Sequence, residues 1–293
     1  MANVKTIESN LQSVSDIQQM TRAWEVVSSV KLQKIKKATE QYKTFMQDFL
    51  DIVSAVQHAT NIFDVPYSST WRKLLVVLSS DKWVCWDLDQ KLFRQIAKKY
   101  GSYKRTVDVF CVWKKAFEFF AWSWFTVVWY THLSDEFTEM DLQNLNTYIS
   151  SAIDQQAYDK IKVYFNSFKN TITQLPMRCK LYPLDQQNLT EFIDCVGINY
   201  DTSSLPVYND IWFGPDMQSC KEALSKQLLQ HMLYWAVLHN KTGEFASRML
   251  TMKAAQDNAS LLLKSLKVSF NKARQSLLTK NIWKTVWTRM AIS

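Results

Sequence analysis

Apolar residues recur at Val4, Ile7, Leu11 and Val14, then at Ile17, Met20, Trp24 and Val27. They resume at Ile35, Ala38, Tyr42, Phe45, Phe49, Ile52 and Val56, in alternating steps of three and four. This is the seam of a heptad helix. Fifty-odd helical residues would reach about 80 Å at 1.5 Å each, too long to stand without a partner along its length. Lys31 and Lys34 interrupt the seam where a dry coiled coil would not place charge. The far end shows the same rhythm, at Phe245, Met249, Met252, Gln256, Ala259, Leu263, Leu266, Phe270, Ala273, Leu277 and Lys280. A separate helical stretch lies upstream at Leu224, Leu228, His231, Trp235 and Leu238, with Gly243 at the join. That glycine either kinks the helix or costs about 1 kcal/mol against alanine.

The middle reads differently. Leu74–Leu78, Val107–Trp113 and Lys162–Phe165 are short apolar runs, and helical stretches such as Gln90–Tyr100 and Leu142–Gln155 lie between them. Buried strands alternating with helices predict an α/β lobe. The predicted fold is therefore α/β with a long antiparallel coiled coil. Residues 1–60 and 216–293 form its helices, and 61–215 form the lobe. Phe119–Tyr130, the most apolar run, is expected to be a buried strand or helix core, since 12 residues fall short of the roughly 20 of a membrane span. Asp185–Tyr208 is expected to be an irregular connection.

Composition narrows the function. Only 4 Gly and 5 Pro punctuate 293 residues, and no two glycines are near each other. That excludes glycine-rich phosphate loops, which need several glycines in one turn. The five cysteines are scattered with no CxxC pair, which fits free thiols in a reducing cytoplasm. The first residues lack the charged-then-apolar order of a signal peptide. The four histidines have no metal-ligand spacing, and no nucleophile–base set stands out, so nothing supports catalysis. The net charge is +8, and no Asp or Glu occurs after residue 257. A basic helix end can be a solvated face, can bind nucleic-acid phosphates, or can dock in an acidic protein socket. Its seam already commits one face to a helix, which favours the socket. Trp283, Trp287 and Met290, with Ile282 and Val286, make the last turns apolar around much of their circumference. Such an end is expected to be buried in a partner or to fold back on this chain.

Both ends resemble one family, the central stalk (gamma) subunit of F-type ATP synthases. Ser13, Val14, Thr21, Ala23, Val27, Lys31 and Leu32 fit the family's opening helix, with Arg22 for its lysine. GEFASRMLTM (243–252) is similar to its E-x-x-A-R-M-x-A-M motif, and FNKARQSLLT (270–279) to Y-N-K-A-R-Q-x-x-I-T, the most specific match. LVVLSSDKWVCWDL (75–88), YFNSFKNTITQLPMRCKLYPL (164–184) and IWFGPD (211–216) resemble family segments of the lobe and its exit. The resemblance covers essentially the whole chain.

It implies a rotor: an antiparallel shaft inside a ring of three alpha and three beta subunits, with a Rossmann-like lobe outside, towards the membrane. The shaft would be non-catalytic and bind no cofactor, with MgATP or ADP held by the partner subunits and no nucleic acid involved. Peripheral attachment at the inner face of the cell membrane is implied, with a small stalk subunit or another protein docked on the lobe. By the same resemblance Arg274, Gln275 and Thr279, with Trp24 and Lys31, would meet the catalytic subunits' loop, and the Trp283–Trp287–Met290 tip would sit in the sleeve. The departures are local. Trp24 stands for a methionine, Trp83 and Trp86 stand at family glycine positions, and Asn281 and Lys284 replace acids. They point to a divergent F1-like complex, of the sort that in cell-wall-less bacteria can drive motility. The alternatives are an ordinary proton-translocating gamma subunit, or a coiled-coil adaptor for nucleic acid or acidic membrane.

Overall fold

The computed structural model describes residues 4–59, 70–81, 86–135, 137–196, 213–214 and 216–291. Two helices dominate, α1 (Val4–Ala59) and α6 (Met217–Met290). The chain divides into two compact units, Met1–Val30 with Arg248–Ser293, and Lys31–Ser247.

In the first unit the positions expected from the seam of α6 are all buried or half-buried: Met249, Met252, Gln256, Ala259, Leu263, Leu266, Phe270 and Ala273. The seam ends there, because Leu277 is exposed. On α1 the expectation fails at two places. In the second unit Phe45 and Ile52 are exposed, with Met46 and Val53 buried in their stead. In the first unit the inward row itself differs. From Val14 the inward row runs through Gln18, Thr21, Glu25 and Ser28. The apolar row Ile17, Met20, Trp24 and Val27 faces out. A strict four–three alternation from Val14 lands on the polar row, whereas the apolar one needs two successive steps of three. The helix keeps its period and buries polar groups it can satisfy. Gln18 Nε2 donates to Ser260 Oγ at 2.7 Å, and the Thr21 hydroxyl donates to the carbonyl of Ile17.

In the second unit a five-stranded sheet has the order β3-β2-β1-β4-β5. The strands are β1 (Lys73–Leu78), β2 (Val107–Val112), β3 (Thr126–Thr131), β4 (Lys160–Phe168) and β5 (Gln174–Tyr182). β1 runs parallel to both β2 and β4, β2 is parallel to β3, and β4 and β5 form an antiparallel pair. Leu74–Leu78 and Val107–Val112 are buried on both faces, which is why they read as continuous apolar runs. Helices α2 (Trp86–Tyr100) and α3 (Lys114–Trp122) bring Leu92, Phe93, Ile96, Ala116 and Phe120 onto Leu75, Val77, Val109 and Cys111. Helix α4 (Gln143–Asp154) precedes β4. The expected strands and helices of the lobe are thus present, and β5 is added to them.

Two local expectations are corrected. Phe119–Tyr130 is not one buried element. It holds the end of α3, a turn in which Trp124 takes φ 61°, and the edge strand β3, and Trp122 and Trp124 are almost fully exposed. High hydropathy without a period of 2 or 3.6 named no face, and Trp122 at the end of α3 and Trp124 in the turn lie outside the core. Part of the expected irregular connection is helix α5 (Gln186–Val196), opened by Asp185, whose carboxylate accepts from the Asn188 amide at 2.7 Å. The rest, 197–208, lies outside the described residues, as does Trp83.

Candidate partner surfaces and the buried ionic cluster of the lobe

The sheet's parallel strands part at one place. β1 has β2 on one side and β4 on the other, which opens a crevice at their carboxyl ends. Helix α6 fills it. Asn240 Nδ2 donates to the Ser79 carbonyl at 2.7 Å, and its Oδ1 accepts from the Asn166 amide at 3.1 Å. One side chain thus serves backbone groups of both diverging strands. One turn on, Gly243 lies against the β4–β5 pair: a Cβ there would sit 3.4 Å from Gln174 Cγ and 3.5 Å from the Asn166 carbonyl. The helix runs through this position, so the two expected C-terminal stretches are one helix and Gly243 does not interrupt it.

Beside Asn240 lies an ionic cluster. Lys241 is fully buried, and its Nζ lies 3.1 Å from Glu244 Oε2, 3.4 Å from Asp135 Oδ1 and 4.4 Å from the Trp113 ring centre. Lys31 of α1 reaches the other Asp135 oxygen at 2.5 Å. At the end of β1, Asp89 accepts from the Ser80 amide and hydroxyl and faces Lys115 at 3.4 Å. Burial pushes the Asp89 carboxyl above the usual range, against the pull of Ser80 and Lys115. Charges removed from water on this scale persist only when each has a counter-charge. The sequence pointed to none of these partners except by the Lys241–Glu244 spacing, because Asp135, Asp89 and Lys115 arrive from separate turns.

Further along the same pair of helices, antiparallel packing is explicit. Thr39 meets Thr242 at 3.4 Å, and Tyr42 Oη lies 2.7 Å from His231 Nδ1 and stacks on Trp235. His231 is therefore a core histidine, and burial lowers its pKa. Cys111 and Cys179 are buried free thiols, and burial pushes Cys111 up to about 12. Among the described residues no group of His, Cys, Asp and Glu could hold a metal ion. No helix among them is long and apolar enough to cross a membrane.

The five expected contact residues separate. Arg274, Gln275 and Thr279 lie exposed on α6, and Trp24 lies in the outward row of α1. Lys31 is half-buried and tied to Asp135, so its ammonium already serves the lobe's own cluster. It is also one of the two charges that broke the apolar rhythm. The tip does not fold back: Trp283, Trp287 and Met290 are each about 60–70% exposed. The register explains where it becomes free. Counting fourteen residues back from Gln18 and forward from Ser260 places Val4 opposite Arg274. Beyond that point α6 has no described stretch of α1 beside it, and it extends about 24 Å further at 1.5 Å per residue.

The ATP synthase family profile matches residues 3–286. The chain belongs to the ATP synthase family. Its similar relatives are gamma chains. It is 28% identical over 290 residues to the ATP synthase gamma chain of Ruthia magnifica, with 96% of each chain covered. It is 27% identical over 302 residues to that of Psychrobacter cryohalolentis, with each chain covered in full. Among solved structures it is similar to a chain of the Euglena gracilis mitochondrial ATP synthase, with TM-score 0.63, 12% identity and 99% and 94% of the two chains covered. A chain of the Tetrahymena thermophila enzyme's central stalk and c-ring matches with TM-score 0.60, 19% identity and 80% and 99% covered. The family fold accounts for helices from both ends of the chain flanking a mixed sheet.

Proposed function

We propose that this chain is the central rotor shaft of an F1-type ATPase. In this reading it turns inside a ring of three alpha and three beta subunits and couples rotation to ATP hydrolysis or synthesis. It supplies no catalytic group, and MgATP and ADP stay in the partner subunits. An asymmetric shaft acts by contacting the conformations of each nucleotide site differently at each angle, which shifts their populations. The observation that carries this reading is the free end of α6. It exposes Leu277, Leu278, Ile282, Trp283, Trp287 and Met290, alongside Lys280, Lys284 and Arg289, with no acid after residue 257. Exposed apolar surface of this extent marks an interaction site. Its cations suit acidic loops, to which guanidinium and ammonium groups make charge-assisted hydrogen bonds.

Arg274 and Gln275 are the proposed contacts to the catalytic subunits' loop, with Thr279 and Trp24 beside the same sleeve. The rotor complex would sit at the inner face of the cell membrane through proteins docked on the lobe. The test is reconstitution of the chain with its alpha and beta partners. Replacing Arg274 and Gln275 together by Ala should lower ATPase turnover or torque at least about tenfold, the loss of two charge-assisted bonds, with helicity unchanged. Wild-type turnover and rotation would remove the proposed contact. Failure of the unaltered chain to assemble with those partners would remove the rotor reading itself.

A further inference from the structure

The four parallel strands all begin at the end of the sheet away from the crevice that Asn240 closes. The segments leading into three of them share one composition. Trp71 precedes β1, Tyr103, Lys104 and Arg105 precede β2, and Trp122 and Trp124 precede β3. The strand starts are level, since Lys73 is in register with Val107 and with Lys160, and Asp108 with Thr126. Lys104 ties two of the segments by donating to the Ser123 carbonyl at 2.8 Å, and Lys73 lies 6.0 Å from the Tyr103 ring centre. At about 4.8 Å between neighbouring strands, β4 to β3 make a surface about 15 Å wide.

Four large rings on this surface meet water. Trp122, Trp124, Trp71 and Tyr103 are 88%, 85%, 81% and 62% exposed. Two of them are held under strain: Trp71 and Trp124 take φ 58° and 61°, a left-handed backbone that disfavours bulky side chains. Rings so exposed gain no packing to offset that strain. The free charge around them has one sign. Lys73, Lys98, Lys99 and Arg105 close no ion pair among the described residues, and Lys99 is held below the usual lysine range by burial and by Arg178 and Lys73. The acids at this end are already committed, Asp108 to Arg72 at 2.6 Å, Asp154 to Lys226 at 3.0 Å and Asp159 to Lys160 at 4.0 Å. An aromatic patch rimmed by such cations fits a surface that is both apolar and negatively charged. Protein interfaces favour tryptophan but are depleted in lysine. Trp and Tyr beside Lys and Arg are the composition that settles at the water interface of an anionic bilayer.

We propose that this end of the lobe is a lipid-docking face: Trp71, Tyr103, Trp122 and Trp124 enter the headgroup layer of an anionic bilayer, and Lys73, Lys98, Lys99 and Arg105 meet its phosphates. The rings supply apolar area and the cations supply attraction, the two signals that stable peripheral attachment combines. The face does not rest on the rotor reading, since it involves the lobe alone and no residue of the α6 tip.

The test is co-sedimentation of the full chain with vesicles of phosphatidylcholine, alone or with about 30% phosphatidylglycerol to supply surface charge. Every chain used carries Trp283→Ser and Trp287→Ser, which remove the exposed rings of the α6 tip as a second source of binding. The anionic vesicles should bind this chain at about 0.1 M salt and release it at about 0.5 M, where the charges are screened. Phosphatidylcholine alone should bind it at least about tenfold more weakly. Trp122→Ser with Trp124→Gly should weaken binding to anionic vesicles at least about tenfold. The same pair should shift the melting temperature by no more than about 3 °C, because glycine accepts the left-handed backbone and neither ring is packed. Lys98→Ser with Arg105→Ser, both exposed, should weaken binding about tenfold or more. Equal binding to the two kinds of vesicle, indifference to salt, or undiminished binding by either double variant overturns the proposal. So does a large fall in melting temperature with Trp122→Ser and Trp124→Gly, which would make these rings packing groups. A single-stranded oligonucleotide that displaces the vesicles and needs the same two tryptophans would assign the face to nucleic acid and overturn it as well.

Discussion

His239 and Lys241 sit two residues apart on α6 and carry opposite lessons about burial. His239 is buried beside Trp235 with its pKa lowered to about 4, below the roughly 6.5 of an unfolded chain. The unfolded state then binds the extra proton between those values, so stability is fully present above pH 6.5 and falls as pH drops towards 4. The loss attributable to this ring should be about 2–3 kcal/mol, at 1.4 kcal/mol per pKa unit. Urea unfolding at pH 7 and pH 4.5 in phosphate-free buffer should show it, and His239→Gln should flatten that part of the slope. An identical slope in the variant would assign the acid sensitivity to other groups, of which His231 is one. Lys241 is fully buried and enclosed by Glu244, Asp135 and the Trp113 ring. Lys241→Met should destabilise by about 3 kcal/mol, because it removes the buried cation beside Glu244 and one of the two cations on Asp135. Denaturant midpoints measure this, and a loss below 1 kcal/mol would mean water already reaches the cluster.

At the scale of elements, α1 carries two rows and the structure chooses between them. The inward row at Gln18, Thr21, Glu25 and Ser28 is polar, and the outward row at Ile17, Met20, Trp24 and Val27 is apolar. A helix pair keeps its register through a polar stretch when its groups find partners, as Gln18 does in Ser260. This inverts the usual effect of substitutions. Leu266→Asp, on the half-buried seam of α6, should cost about 2 kcal/mol or more through lost burial and an unpaired charge. Met20→Ser, which removes an apolar group of similar size, should change the melting of the isolated chain very little. Thermal unfolding followed by circular dichroism compares them, and equal losses would return the apolar row to the seam. The rhythm was legible in the sequence, including the signal that decides the matter. An unbroken four–three alternation connects Val14 to Leu32 and Ile35 through the polar row. The apolar residues obscured it because hydrophobicity marks what leaves water, and a surface awaiting a partner also leaves water.

For the whole molecule, the same argument applies to the end of α6. Residues past Arg274 have no described α1 residue beside them and contribute little burial to this chain. A chain ending at residue 276 should therefore melt within a few degrees of the full one, on the scale of under 1 kcal/mol. It should lose most of its affinity for the alpha and beta ring. Co-elution of the shortened chain with that ring at the wild-type level would place the contact elsewhere.

Sequence alone determined what depends on spacing and composition. Heptad steps gave the two long helices, apolar runs gave β1, β2 and β4, and scarce glycine excluded a phosphate loop. Specific motifs such as Phe270–Thr279 gave the family. Each of these is a property of neighbours along the chain. Tertiary structure decided what depends on neighbours in space. It selected the inward row of α1 and left Trp122 and Trp124 uncovered at a helix end and its turn. It closed the sheet's crevice with Asn240. It gathered Lys31, Asp135, Lys241 and Glu244 from three distant segments, because a charge can leave water only where the fold delivers its counter-charge.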